Sequence, residues 1–290
     1  MTAAAAGTAP VRADYHMHLE RGPWTLDWLE RFVETAQARG LTEIGFSEHP
    51  HRFRECRPMY PPPDAVSGWI DEQSTESLED YLRLIEAARA AGLPVKVALE
   101  WDYLPGYERE LERVMGLYRW DYAIGSVHWI PPEERGGVWW GFDDLSKAEE
   151  WTRRDVLDTY RQYFSLIAAA AGTRFFDFIG HADVIKVCGY RPSVDILDQY
   201  EAAADAFARA GVCAEINTAG LRKPVGELYP APAFLAACRR AGVPTLINSD
   251  AHTPEDVARD FDRGAALAQA AGYAEVATFA GRRRTMVPLT

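Results

Sequence analysis

Short apolar runs alternate along the chain with longer segments whose apolar residues recur every three or four positions. The runs are Val11–His16, Glu43–Ser47, Val95–Leu99, Tyr122–Val127, Phe175–Gly180, Val212–Ile216 and Pro244–Asn248. Each is short for a helix and rich in β-branched or aromatic residues, so each reads as a buried strand. Leu26, Leu29, Phe32 and Val33 mark a first helix, started by Thr25 or Pro23, and Tyr81, Leu82, Leu84 and Ile85 mark a second. The spacing predicts further helices over Tyr107–Tyr118, Arg153–Ala171, Ser193–Ala210, Ala233–Ala241 and Pro254–Ala271. Gly40, Gly92, Gly211 and Gly242 each stand a few residues before a strand, where a helix stop signal belongs.

This order predicts an α/β protein with parallel strands and crossover helices. Seven such units suit a closed barrel better than an open doubly wound sheet, the alternative that pattern alone leaves standing. Two connections are long. One runs from Pro50 to Thr75 after the second strand, and the other from Trp129 to Lys147 after the fourth. Both follow strand C-termini, the rim where a parallel barrel builds its active site. Residues 1–10 are Ala-rich and read as a flexible extension, and residues 11–290 as one barrel domain.

Composition narrows the class. With 290 residues, 48% hydrophobic and 26% charged, the chain can bury a full core without staples. A net charge of −12 argues against a nucleic-acid-binding surface, and Arg282, Arg283 and Arg284 read as a solvated tail. No charge-free apolar stretch is long enough for a membrane span, and the N-terminus lacks the features of a signal peptide. The four cysteines, Cys56, Cys188, Cys213 and Cys238, form no CxxC pair and suggest free thiols in a cytoplasmic protein.

The histidines carry the chemistry. All seven, His16, His18, His49, His51, His128, His181 and His252, fall at or just beyond a predicted strand end. Three positions at each of seven strand ends cover about 21 residues, roughly 7% of the chain, so chance would place fewer than one histidine there. Acids join them: Asp14, Glu48, Glu100, Asp183 and Asp250. Alternate residues of a strand share a face, so His16 and His18 can grip one ion, and Asp250 and His252 repeat that spacing. These donors exceed what one ion needs and suffice for two or three. A carboxylate such as Glu100 can bridge two ions, the usual device for phosphate ester hydrolysis. Imidazole and carboxylate donors together suit Zn, Mn or Fe.

The segments Asp14-Tyr15-His16-Met17-His18, Ser47-Glu48-His49, Gly125-Ser126-Val127-His128, Ile179-Gly180-His181-Ala182-Asp183 and Ser249-Asp250-Ala251-His252 resemble the PHP (polymerase and histidinol phosphatase) family. Glu215-Ile216-Asn217-Thr218-Ala219-Gly220-Leu221-Arg222 resembles its stand-alone histidinol-phosphate phosphatases. The resemblance implies a distorted (β/α)7, TIM-like barrel with a trinuclear metal site at the strand C-termini. It implies His16, His18, Glu100 and Asp250 for one ion, and His128 and His181 for a second that Glu100 bridges. His49 and His252 would hold a third, with Glu20 the nearest acid to complete it, since many relatives place a His or Asp several residues beyond HxH and this chain has no His there. Asp14, Glu48 and Asp183 would buttress ligating histidines, and His51 has no counterpart.

The implied activity is hydrolysis of a phosphate monoester, above all L-histidinol phosphate. Arg222 would clamp the phosphate, and Asp250 or His252 would serve the leaving group. Tyr60, Trp129, Trp139, Trp140, Glu133 and Glu134 on the two long connections would suit a cationic substrate. The other readings are a PHP phosphoesterase with another small phosphate ester, an amidohydrolase-type metal hydrolase and a non-catalytic metal-binding module.

Overall fold

The computed structural model describes residues 12–66, 68–134 and 137–289. The extension expected over residues 1–10 lies outside the described residues. Seven strands form one sheet, in chain order around it: β1 (Ala13–Asp14), β2 (Glu43–Glu48), β3 (Val95–Asp102), β4 (Ile124–Ser126), then β7 (Phe178–Ile179), β8 (Cys213–Asn217) and β9 (Thr245–Asn248). Every pairing in it is parallel. Between β4 and β7 the chain makes a small antiparallel hairpin, β5 (Trp129–Ile130) with β6 (Trp140–Gly141).

The first and last strands meet, so the sheet nearly closes. Met17 bridges Ala251 in parallel, with His18 N–H donating to the Ala251 carbonyl at 2.8 Å. One step earlier the seam is held by a side chain: Tyr15 N–H donates to Asn248 Oδ1 at 2.8 Å. β1 itself is paired with β2 only at Ala13 and Asp14, shorter than the apolar run predicts.

The helices are α1 (Leu26–Ala38), the short α2 (Trp69–Gln73), α3 (Leu78–Ala90), α4 (Glu108–Met115), α5 (Val156–Gly172), α6 (Leu197–Ala210), α7 (Pro232–Arg240) and α8 (Phe261–Ala270). Thr25 is the cap of α1, its side chain accepting from Trp28 N–H at 3.3 Å. Each of the four stop-signal glycines takes a left-handed φ, as at Gly211 (79°) after α6.

Two expectations need correcting. The helix expected over Pro254–Ala271 is a 3-10 turn at Pro254–Asp256 followed by α8. Ala258 and Asp260 between them have φ of 53° and 59°, which no helix admits. The chain is pulled to the barrel seam there, since Ala258 N–H donates to Asp14 Oδ2 at 2.9 Å and Thr218 Oγ1 to the Arg259 carbonyl at 2.7 Å. The arginines read as a solvated tail belong to a C-terminal hairpin, β10 (Glu275–Ala280) with β11 (Arg283–Pro288). Arg282 pairs with Asp177, and Arg284 donates to the Gly211 carbonyl at 2.9 Å.

That hairpin seals the lower end of the barrel. Phe279 packs with Tyr15, Tyr122 and Phe178, whose rings fill the interior below the histidines. The upper end, at the strand C-termini, is left to polar side chains. Among the described residues no helix is long and apolar enough to cross a membrane.

Candidate metal centre

Six strand ends deliver the polar cluster. His16 and His18 follow β1, and His49 follows β2. Glu100 lies within β3, His128 two residues past β4 and His181 two past β7. Asp250 and His252 follow β9.

Glu100 is buried at the centre, with its two oxygens facing different partners. Oε1 lies 2.7 Å from His181 Nε2 and 3.3 Å from His128 Nε2. Oε2 lies 3.2 Å from His16 Nε2, 3.5 Å from His18 Nε2 and 3.2 Å from His49 Nδ1. Asp250 Oδ1 completes the second side, 3.4 Å from His18 Nε2 and 3.7 Å from His16 Nε2. Glu20 reaches the rim, 3.4 Å from His252 Nε2 and 3.9 Å from His49 Nε2.

Donor atoms converge in four sets: His16, His18 and Glu100; His16, His181 and Asp250; Glu100, His128 and His181; and His18, His49 and His252. In each set the donor atoms lie within 4.8 Å of one another. His16 Nε2, both ring nitrogens of His18 and His181 Nδ1 are buried without a hydrogen-bond partner. Of these, His16 Nε2 and His18 Nε2 face Glu100 and Asp250 without an aligned hydrogen bond; buried imidazole nitrogens set against carboxylates in this way are a donor set that divalent cations fit.

Electrostatics bind the cluster together. Burial disfavours the charge on Glu100 and Asp250, yet nearby imidazoles, His16 first among them, hold both well below the usual carboxylate range. His16 is pushed down by burial but pushed up further by Glu215, Glu100 and Asp250, and ends well above its ordinary value. His18 goes the other way, lowered by burial and by His49 and His252.

Two carboxylates that sequence reasoning missed orient the imidazoles. Glu215, buried in β8, sits 2.8 Å from His16 Nδ1 through Oε1. Its Oε2 accepts from the His181 backbone N–H at 2.6 Å. Asn248 and Asn217 side chains donate to it at 2.7 and 3.0 Å, so its acceptors are filled. Asp102 Oδ1 lies 2.7 Å from His128 Nδ1, and its other oxygen accepts from Tyr60 OH. Each contact commits Nδ1 to the carboxylate and leaves Nε2 for a metal. Glu215 also holds strained backbone: His181 has φ of 25°, and Asp250, which Asn217 Nδ2 reaches at 3.3 Å, has φ of 52°.

The expected buttresses act on backbone rather than on imidazole rings, and Asp14 Oδ1 accepts from the His16 backbone N–H at 3.4 Å. Asp14 accepts from Ser249 N–H at 3.0 Å and from Ala258 N–H, which secures the backbone ahead of Asp250. Glu48 takes the Leu19 N–H and Arg52 Nη1. Asp183 accepts from Lys186 at 2.9 Å and Ala231 N–H at 2.8 Å. None of the three touches an imidazole, because each side chain points to the backbone of the neighbouring rim segment.

Arg222 donates through Nη2 to the Ser249 carbonyl at 2.7 Å, and its Nε lies 3.5 Å from Asp256. Gly220 is needed for a close backbone approach: a Cβ there would lie 2.0 Å from the Glu227 carbonyl.

His51 stacks on His49 with ring centroids 5.1 Å apart and helps line a cavity of about 140 Å³ with His128, Trp69, Trp129 and Asp143. Of the aromatic and acidic rim residues expected to meet a cation, only Trp129 lines it. Tyr60 is tied to Asp102, and Trp140 is buried beneath Arg154. Glu133 lines a separate cleft with Arg153 and Arg154. A larger, apolar cavity of about 380 Å³ lies at the opposite end of the barrel and includes none of the histidines.

The PHP domain family model matches residues 14–219, a span holding every candidate ligand up to His181. The chain belongs to the PHP domain family. This PHP chain is 34% identical over 250 residues to a probable histidinol-phosphatase of Deinococcus radiodurans, covering 84% of this chain and 87% of that one. It is 24% identical over 280 residues to a histidinol-phosphatase of Lactococcus lactis, covering 94% and 96%. Its fold is similar to that of a crystallised histidinol phosphate phosphatase of L. lactis complexed with zinc, L-histidinol and phosphate. The TM-score is 0.69 at 21% identity, over 94% of this PHP chain and 98% of that chain. The TIM-like PHP barrel expected from the motifs is thus the fold observed.

Proposed function

We propose that the chain is a metal-dependent phosphomonoesterase that hydrolyses L-histidinol phosphate to L-histidinol and phosphate, as a cytoplasmic enzyme of histidine biosynthesis. The observation that carries this reading is Glu100, one buried carboxylate whose two oxygens face two separate groups of imidazoles. The likeness to named histidinol-phosphatases supports the substrate, and four unpaired cysteines suit a reducing compartment.

His16, His18 and Asp250 would hold one divalent ion and His128 and His181 a second, with Glu100 between them. His49, His252 and Glu20 would hold a third. The imidazole and carboxylate donors suit Zn, Mn or Fe. When bound, such ions lower the pKa of a water and polarise the phosphoryl group.

The chain's own residues do the rest. Glu215 and Asp102 fix which nitrogen of His16 and His128 faces inward. Asp250 or His252, 3.6 Å apart at the end of β9, would serve the leaving alkoxide. Arg222, anchored one residue before Asp250, would use its remaining N–H groups on a phosphoryl oxygen. The overall charge of −12 does not repel the substrate, because bound cations set the local field. Phosphate release from L-histidinol phosphate against a panel of sugar and nucleoside monophosphates tests the reading: preference for the former supports it, and a clear preference for another ester redirects it.

A further inference from the structure

The cavity beside the cluster contains one carboxylate that neither the metal ligands nor their buttresses use. Phe142 N–H donates to the His128 carbonyl at 3.3 Å, extending the β5–β6 pairing by one residue. That contact delivers Asp143 to the cavity wall beside the His128 ring. Asp102 in the same wall is claimed by His128 and Tyr60. Asp143 has no ion-pair partner among the described residues. It is half-buried and lines the same cavity as Trp69 and Trp129, whose ring centroids are 5.8 Å apart. A half-buried carboxylate walled by aromatic faces favours a cation, through charge and through the ring quadrupoles.

We propose that Asp143 is a specificity-determining residue that binds the primary ammonium of a phosphorylated amino alcohol. The proposal rests on the reading of the chain as a histidinol-phosphate phosphatase. In that substrate the ammonium sits on the carbon next to the phosphorylated one. Its counter-ion must therefore stand against the metal ligands themselves, which Asp143 does beside His128. Glu133, on the far side of the same loop, does not.

The test compares Asp143→Asn and Asp143→Ala with the wild type on two esters, L-histidinol phosphate and its deamino analogue, which keeps the imidazole and phosphate. The proposal predicts that both variants raise KM for L-histidinol phosphate by roughly 10- to 100-fold, with smaller change in kcat. Metal content and turnover of the deamino analogue stay at wild-type levels, so discrimination between the esters collapses. A parallel loss on both esters would show that Asp143 merely supports His128, and unchanged kinetics on both would place the ammonium elsewhere. Either result overturns the assignment while leaving the enzyme a histidinol-phosphate phosphatase. A wild type that releases phosphate from other esters but not from L-histidinol phosphate overturns the assignment together with the function it rests on.

Discussion

Glu215 holds His16 from behind: Oε1 stands 2.8 Å from Nδ1, inside the barrel and shielded from water. Its other oxygen holds the backbone of His181, so one side chain of β8 positions residues of β1 and β7. Replacing it with glutamine keeps the shape but removes the charge and turns an amide N–H₂ toward existing donors. Glu215→Gln is expected to weaken metal binding by roughly 10- to 100-fold. Competition against a chelator of known affinity measures it. Wild-type affinity in a folded variant would mean that His16 needs no such partner.

Glu100→Gln tests the bridge. An amide offers one neutral oxygen where the carboxylate offers two charged ones. The expected outcome is loss of most turnover and of tight binding at more than one ion, read by metal analysis after dialysis. Two retained tight ions with normal turnover would remove Glu100 from the bridging position.

Chelation should lower stability as well as activity, since ions held by this cluster would tie strand ends together. A ligand at 100-fold its Kd stabilises the folded state by about 2.7 kcal/mol. A clear fall in Tm on metal removal, restored on adding the metal back, is expected. An unchanged Tm in verified metal-free protein would show that the cluster is preformed and the ions contribute no net stability.

The metal-free cluster carries excess protons. Burial opposes protonation of His49, but Glu100 and Glu20 lift it from 6.5 to about 9, and His16 is held well above its ordinary value. Raised imidazole values stabilise the folded chain fully below pH 6.5, and that contribution is lost as pH rises through about 9. The metal-free protein is therefore expected to lose Tm over that interval. Metal needs neutral imidazole, so its affinity should rise over the same interval and uptake should release protons. Calorimetry in buffers of different ionisation enthalpy counts them. No proton release at neutral pH would contradict the raised values.

The strand ends were readable because histidine is rare and its placement was not random. His16 with His18, and Asp250 with His252, announce themselves through two-residue spacing. The same spacing links Glu100 to Asp102 and Glu215 to Asn217, and it held the signal for both missed buttresses. Asp102 lies beyond the apolar run that ends at Leu99, and nothing in the motif block that contains Glu215 shows that its side chain faces the barrel interior. Glu48, next to His49, falls on the opposite face of its strand, whereas Asp14 and Asp183, two residues from His16 and His181, are drawn to backbone N–H groups of neighbouring rim segments, which the sequence does not show. The C-terminal hairpin is not legible in the sequence because β11 begins with three exposed polar residues, Arg283, Arg284 and Thr285, and its anchor, Phe279 against Tyr15 and Phe178, joins positions far apart in the chain. The break before α8 is a tertiary effect, imposed by Asp14 from the other end of the sequence.

The most direct test of the account follows phosphate release from L-histidinol phosphate as metal is titrated into chelated protein. Turnover should be absent at the start, rise in step with bound metal and level off at two or three ions per chain. Full turnover by protein verified to be metal-free, or none by fully loaded protein, would contradict it.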